Sequence, residues 1–193
     1  RGISNIFLAS SAALFAKERR QQQQCCEQAE QQLRGLLHKF YRQTQTAAQH
    51  SRLLSHITLA LQGCDHLATL RRQIQQQKIT ALQATEAFSR LIAAWLAVVL
   101  ESADLSCDAA ITRLLVALFH LLQSKEYAGQ ERAWGAFGLA SGNIDAALAQ
   151  RLLLLQQAQQ HSATVFLQFA GETALQQWQQ LDLAPPTSNS PPS

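Results

Sequence analysis

Lys125–Asn143, KEYAGQERAWGAFGLASGN, is the stretch on which the chain turns. It lacks proline, carries no β-type alternation, and ends in Gly142–Asn143, a good C-terminal stop for a helix. On a helix, Arg132 has Ala128 and Gly129 one turn before it and Gly135 and Ala136 one turn after it. All four neighbours are small, and Gly138 extends the notch. Glycine costs a helix interior about 0.8–1 kcal/mol against alanine. A helix that keeps Gly129, Gly135 and Gly138 therefore brings something close to its backbone. A packed helix satisfies that demand, and so does a small ligand. The guanidinium of Arg132 favours a small anion in the second case. In the first it pairs with a carboxylate such as Glu126 or Glu131.

The rest of the chain supports a helical frame. The four prolines all follow residue 184, so the first 180 residues are almost free of strong breakers. Residues 3–9 carry an apolar stripe of Ile3, Ile6 and Phe7 at helical spacing, with Arg1, Ser4 and Asn5 on a neighbouring face. Ser10–Ser11 makes a plausible cap, and a long helix is expected from about 12 to 44. Its middle, Lys17 to Gln32, is almost wholly polar and is expected to be exposed around most of its circumference. A third helix is expected from about 47 to 76, with Gly63 and Asp65 as the place for a kink or an interruption. Thr80 should cap a fourth, with Ile79 as its hydrophobic staple. Ser102–Ser106 reads as a turn, and Ser106 or Asp108 as the cap of a fifth helix that runs through the opening stretch. Asp145 starts a sixth, expected to continue to about Leu181. Long helices with short connections make an antiparallel bundle. The expected architecture is all-α, with two stacked four-helix-type bundles spanning 1–181. Residues 182–193 read as a Pro/Ser-rich linker toward an output domain.

Composition narrows the function classes. Hydrophobic residues make up 47% of the chain, enough for a core, and charged residues only 15%, with glutamine supplying much of the polar surface. The net charge of +3 is mild and scattered, and the basic pairs Arg19–Arg20 and Arg71–Arg72 lack interleaved aromatics, which argues against direct nucleic-acid binding. Cys25, Cys26, Cys64 and Cys107 show no metal-ligand spacing and suit a reducing, cytoplasmic setting. The six histidines are dispersed, and no Glu has a His three residues later, which removes the helical di-iron pattern. No P-loop, nucleophile elbow or dinucleotide fingerprint is present. No enzyme, metal or cofactor is expected. The most apolar run, Leu91 to Leu100, is too short to span a bilayer, so no membrane is expected either. The chain lacks methionine, even at position 1, and reads as part of a longer protein.

Two segments resemble a known family. Arg1-Gly2-Ile3-Ser4, continuing to Ser10, resembles the (E)RG-[LIA]-S-x-x-[YFW]-L-x-S opening of the NIT domain, the nitrate- and nitrite-sensing domain of bacterial signalling proteins. KEYAGQERAWG resembles that family's KExxGxERAxG segment, and the pieces between Cys64 and Glu101 run in family order. The glutamate expected before the first arginine lies ahead of Arg1. The resemblance covers nearly the whole chain up to about Leu181. It implies two stacked helical bundles and a nitrate or nitrite ion held by Arg1 and Arg132. Ser4, Asn5, Gly129 and Gly135 are placed to complete the shell. The soluble linker and free thiols are most similar to the family form in which a NIT domain precedes a small RNA-binding ANTAR domain, as in transcription antitermination of nitrate assimilation. The implied partners are nitrate or nitrite and, through a C-terminal domain absent from this sequence, RNA. The physical chemistry agrees: a guanidinium gives a planar anion two parallel charge-assisted hydrogen bonds. Two arginines without their anion repel, so binding would draw their helices together. The competing interpretation is a structural or partner-binding bundle whose Gly/Ala face is a protomer contact, with a homodimer as partner.

Overall fold

The computed structural model describes residues 2–9, 16–44 and 50–183. Among them are eight α-helices: α1 Gly2–Ala9, α2 Ala16–Thr44, α3 Ser51–Asp65, α4 Leu67–Gln75, α5 Ala81–Asp104, α6 Ala109–Ser141, α7 Ala146–Phe169 and α8 Glu172–Leu183. The cap proposed at Ser10–Ser11 and the helix starts near 12 and 47 lie outside the described residues, as do Arg1 and most of the C-terminal Pro/Ser stretch.

Local chemistry sets most boundaries. Thr80 Oγ1 accepts from the Gln83 backbone N–H at 3.2 Å and the Gln83 side chain accepts from the Thr80 N–H at 2.9 Å, closing a capping box that starts α5. Asp108 Oδ1 accepts from Ala110 and Ile111 to start α6, and Asp145 Oδ1 accepts from Leu148 at 2.7 Å to start α7. Each such cap is worth about 0.5–2 kcal/mol. Gly142 ends α6 with φ +66°, the left-handed geometry in which glycine meets no Cβ penalty.

Two expectations need correction and one is sharpened. α5 runs on through Ser102 to Asp104, because the Ser102 hydroxyl folds back onto the Val98 carbonyl at 2.8 Å and leaves the helix intact. The interruption expected around Gly63 and Asp65 falls directly after Asp65, at His66; Gly63 itself lets α3 approach α5, since a Cβ there would lie 2.8 Å from Leu91 Cδ1. The last helix is two: it breaks at Ala170–Gly171, where Ala170 turns to an extended ψ of 141° and is itself buried against Phe166 and Ala117.

Several of the packed helix pairs are antiparallel. Gly63 meets Leu91 and Arg52 meets Glu101, so α3 and α5 are antiparallel. Residues 138, 134, 124, 117 and 113 of α6 face 148, 151, 159, 166 and 168 of α7, an antiparallel pair along nearly its full length. α1 lies across α5 and α6. α2 runs antiparallel to α3 and α4 along a polar seam in which Arg34 reaches Glu30 and Asp65, and Glu27 accepts from Arg71. Apolar packing concentrates in two places. One cluster joins Phe7, Ile74 and Ala84, with Leu70, Ile79 and Phe88 around it. The other joins Ala117, Phe166 and Ala170, and α8 closes over it with Leu175 and Trp178.

By length and composition alone α5 would cross a membrane, being a 24-residue helix rather than the ten-residue run visible in the sequence. In this fold it packs against α1, α3 and α6, and it buries the carboxylate of Glu101 near its C-terminus.

Candidate functional site

The site is built from α6 upward. Arg132 is exposed and makes no ion pair among the described residues, with neither Glu126 nor Glu131 as its partner. Glu126 is buried and accepts a hydrogen bond from Gln130 at 2.8 Å. The packing explanation of this cation therefore loses its expected carboxylate.

The glycines of the segment divide by role. A Cβ on Gly138 would sit 2.8 Å from Leu148 Cδ2 and 3.0 Å from Ile144 Cγ1, so Gly138 is bare because the start of α7 presses on it. A Cβ on Gly135 would meet nothing within 4 Å. That glycine, one turn from Arg132, borders open space. Gly129, on the other side of Arg132, is half-buried. Trp134 anchors the same region to α7, with the Arg151 guanidinium 4.3 Å from its ring centroid.

α1 delivers the other motif to this place. Asn5 is 1% exposed and bridges two helices: its Nδ2 donates to Thr85 Oγ1 on α5 at 2.7 Å and to the Ala133 carbonyl on α6 at 3.4 Å. Thr85 passes the link on by donating to Ala81 O at 2.9 Å. The Oδ1 of Asn5 is buried without a hydrogen-bond partner. The first motif is thus pinned at the carbonyl of the residue that follows Arg132. Two residues 128 positions apart meet here, which no local sequence signal announces. Arg1 lies outside the described residues, four positions before Asn5 in the sequence.

Ser4 faces elsewhere. It is buried and lines a cavity of about 90 Å³ with Arg19, Gln22 and Gln23 of α2, Arg71 and Ile74 of α4, and Phe88 of α5. Arg19, on a segment expected to be exposed, is only 9% exposed. Burial and then the neighbouring Arg20 push its pKa below the usual arginine value. A larger depression of about 300 Å³ between α2 and α3, near Leu37, Phe40 and Leu54, is mostly apolar and away from both motifs. Among the described residues no three of His, Cys, Asp and Glu converge in a way that would hold a metal ion.

Comparisons with known proteins agree on one family. The profile described as nitrate and nitrite sensing, NIT, matches residues 1–189. A nitrate regulatory protein of Klebsiella oxytoca is 36% identical over 155 residues, covering 79% of this chain and 37% of its own length. Among solved structures, that of the NasR transcription antiterminator superposes with a TM-score of 0.79 at 32% identity, over 95% of this chain and 49% of the other. The chain thus spans about half or less of the length of the relatives it matches.

Proposed function

The chain belongs to the NIT family of nitrate and nitrite sensing, and from that premise we infer that it is the anion-sensing input domain of a signalling protein, with the ion bound between α1 and α6. A sensing family is not a catalytic one, and the action expected of the domain is a change of helix packing. The carrying observation is the bridge from Asn5 to Ala133, which sets the two motif segments against each other. Arg132, exposed and unmatched by a carboxylate among the described residues, supplies one planar cation; Arg1, four positions before Asn5 in the sequence, is the second. Gly135 leaves room beside Arg132 where an anion can approach the backbone. Nitrate neutralises the repulsion between the two guanidinium groups and draws α1 onto α6.

The two apolar clusters, one joining α1, α4 and α5 and the other α6, α7 and α8, support a division into two stacked bundles. Both named relatives carry regulatory titles, one of them a transcription antiterminator. On that analogy the output is transcription antitermination in nitrate assimilation through an RNA-binding ANTAR domain, in the cytoplasm. A membrane role for α5 is disfavoured by its packing against α1, α3 and α6. The alternative of a purely structural seam is favoured at one position only, Gly138, where α7 fills the notch.

Calorimetry tests the assignment. Nitrate and nitrite should bind in preference to chloride and sulfate, and Arg132→Ala and Arg1→Ala should each lower the heat and the stoichiometry by one ion per chain while circular dichroism stays unchanged. Unaltered nitrate binding by Arg132→Ala removes the assignment.

A further inference from the structure

Along the seam between α2 and its neighbours, cations meet carboxylates. Arg34 lies 2.9 Å from Glu30 and 2.7 Å from Asp65, and Arg71 lies 3.0 Å from Glu27. Arg19 breaks the pattern. Its Nη2 donates to a neutral amide, Gln75 Oε1, and its guanidinium carbon stands 4.4 Å from the centroid of the Phe7 ring. Its Nε is buried and has no hydrogen-bond partner. The charge that acts on it, Arg20, has the same sign. A cation taken out of water without a counter-charge is costly, because neither Coulomb attraction nor full hydrogen bonding replaces its hydration.

That side chain forms a wall of the 90 Å³ cavity where α1, α2, α4 and α5 converge. The space is small and has room for a small ion among its polar groups. The rest of the polar lining is Ser4, Gln22, Gln23, Cys26 and Arg71; the amide N–H groups of Gln22 and Gln23 already go to Cys26 Sγ and Glu27 Oε1, so Ser4 and Arg71 are the donors left to an occupant. Glu27 already matches Arg71, which leaves one uncompensated positive charge. A singly charged ion balances it; a dianion overshoots.

We propose that this cavity is a second small-anion subsite, taking a monovalent oxyanion of the size of nitrate or nitrite, with Arg19 as its charge partner and Ser4 and Arg71 as further donors. It goes beyond the site between α1 and α6. Ser4 and Asn5 are consecutive on α1 and point about 100° apart, Ser4 into this cavity and Asn5 toward α5 and α6. An ion here ties the polar α2 to α1, α4 and α5.

Thermal unfolding of the chain is followed against nitrate, nitrite, chloride and sulfate at constant ionic strength, with bulky gluconate as the balancing ion. The background is Arg132→Ala, which disables the other site. A saturable rise in Tm with nitrate should survive there, about 5–10 °C at 100 times the Kd for a chain of this size. It should be lost in Arg19→Gln/Arg132→Ala, and sulfate should give no saturable rise. Loss of all saturable response in Arg132→Ala alone overturns the second subsite while leaving the first intact. A response that survives Arg19→Gln overturns it too. A response kept in full by Arg132→Ala and abolished by Arg19→Gln supports this subsite and rejects the first. Should Arg19→Gln fail to fold, the Nε–H resonance of Arg19, assigned by its absence in Arg19→Lys, decides: it shifts saturably with nitrate in the unmutated chain, and a resonance that does not move refutes the subsite.

Discussion

Replacing Gly135 by alanine should make the protein more stable and a poorer sensor. A Cβ at this position meets nothing within 4 Å, so the methyl group enters without strain. The helix then gains the ordinary advantage of alanine over glycine, about 0.4–1 kcal/mol, much of it through restriction of the unfolded chain. For a chain of this length that raises Tm by about 1–4 °C. Gly138, three residues on, is the internal control. The same gain applies there, but the methyl would lie 2.8 Å from Leu148 Cδ2 and 3.0 Å from Ile144 Cγ1. Overpacking costs about 1–3 kcal/mol, and the cost falls toward the low end because both contacts are with side-chain atoms that can move. Gly138→Ala should therefore be less stable than Gly135→Ala by about 1–2 kcal/mol. The functional half of the prediction has the opposite sign. If the space beside Gly135 admits the anion, its methyl group raises the Kd for nitrate about tenfold or more, a loss of about 1.4 kcal/mol. Urea unfolding and calorimetry on the same preparations measure both. A destabilised Gly135→Ala refutes the open-space argument. A stabilised Gly135→Ala that binds nitrate like the unmutated chain refutes the ligand argument.

Three further outcomes follow from the packing. Glu101 is 5% exposed and its partner Arg52, 3.0 Å away, is 74% exposed, so the pair lies between surface and buried behaviour; a double-mutant cycle with Arg52→Ala and Glu101→Gln should give a coupling of about 1–2 kcal/mol, and a value near zero would mean the pair does not fasten α3 to α5. The pKa of His120 is lowered, first by burial and then by His161. Its contribution to stability is complete above the unfolded-state value of about 6.5 and is lost as pH falls through the folded-state pKa, so stability should drop on acidification from about pH 6.5 down to that pKa, and His120→Gln should flatten the drop. Burial raises the thiol pKa of Cys64, whereas Cys25, Cys26 and Cys107 are exposed. Ellman's reagent should therefore find three fast thiols in the native protein, the fourth appearing only on unfolding.

Boundaries with a side-chain mechanism were legible in the sequence. Thr80, Asp108, Asp145 and Gly142 act within three residues of themselves, and all four do what their chemistry indicates. The break after Phe169 was not, because Ala170 bends for tertiary reasons: it is buried against Ala117, a residue in another helix. Gly171 and the acidic first turn of α8 at Glu172 were the faint signals available. The same limit governs the site. Nothing local distinguishes Gly135 from Gly138; the start of α7 does. Arg19 sits in a run of polar residues whose composition indicates solvent on every side, yet the inward seam of α2 is itself polar, so hydrophobic periodicity could not reveal it.

The length of α6 has a mechanical consequence. Its 33 residues run without a break from Ala109 to Ser141, past the contact with α1 at Ala133 and the α7–α8 cluster at Ala117. At 1.5 Å of rise per residue those two points are about 24 Å apart. A rod of that span is a lever arm: a tilt of about 5° pivoting at Ala133 carries Ala117 sideways by about 2 Å. Phe166 and Trp178, whose rings stand 5.4 Å apart beside Ala117, would have to follow that stroke or repack.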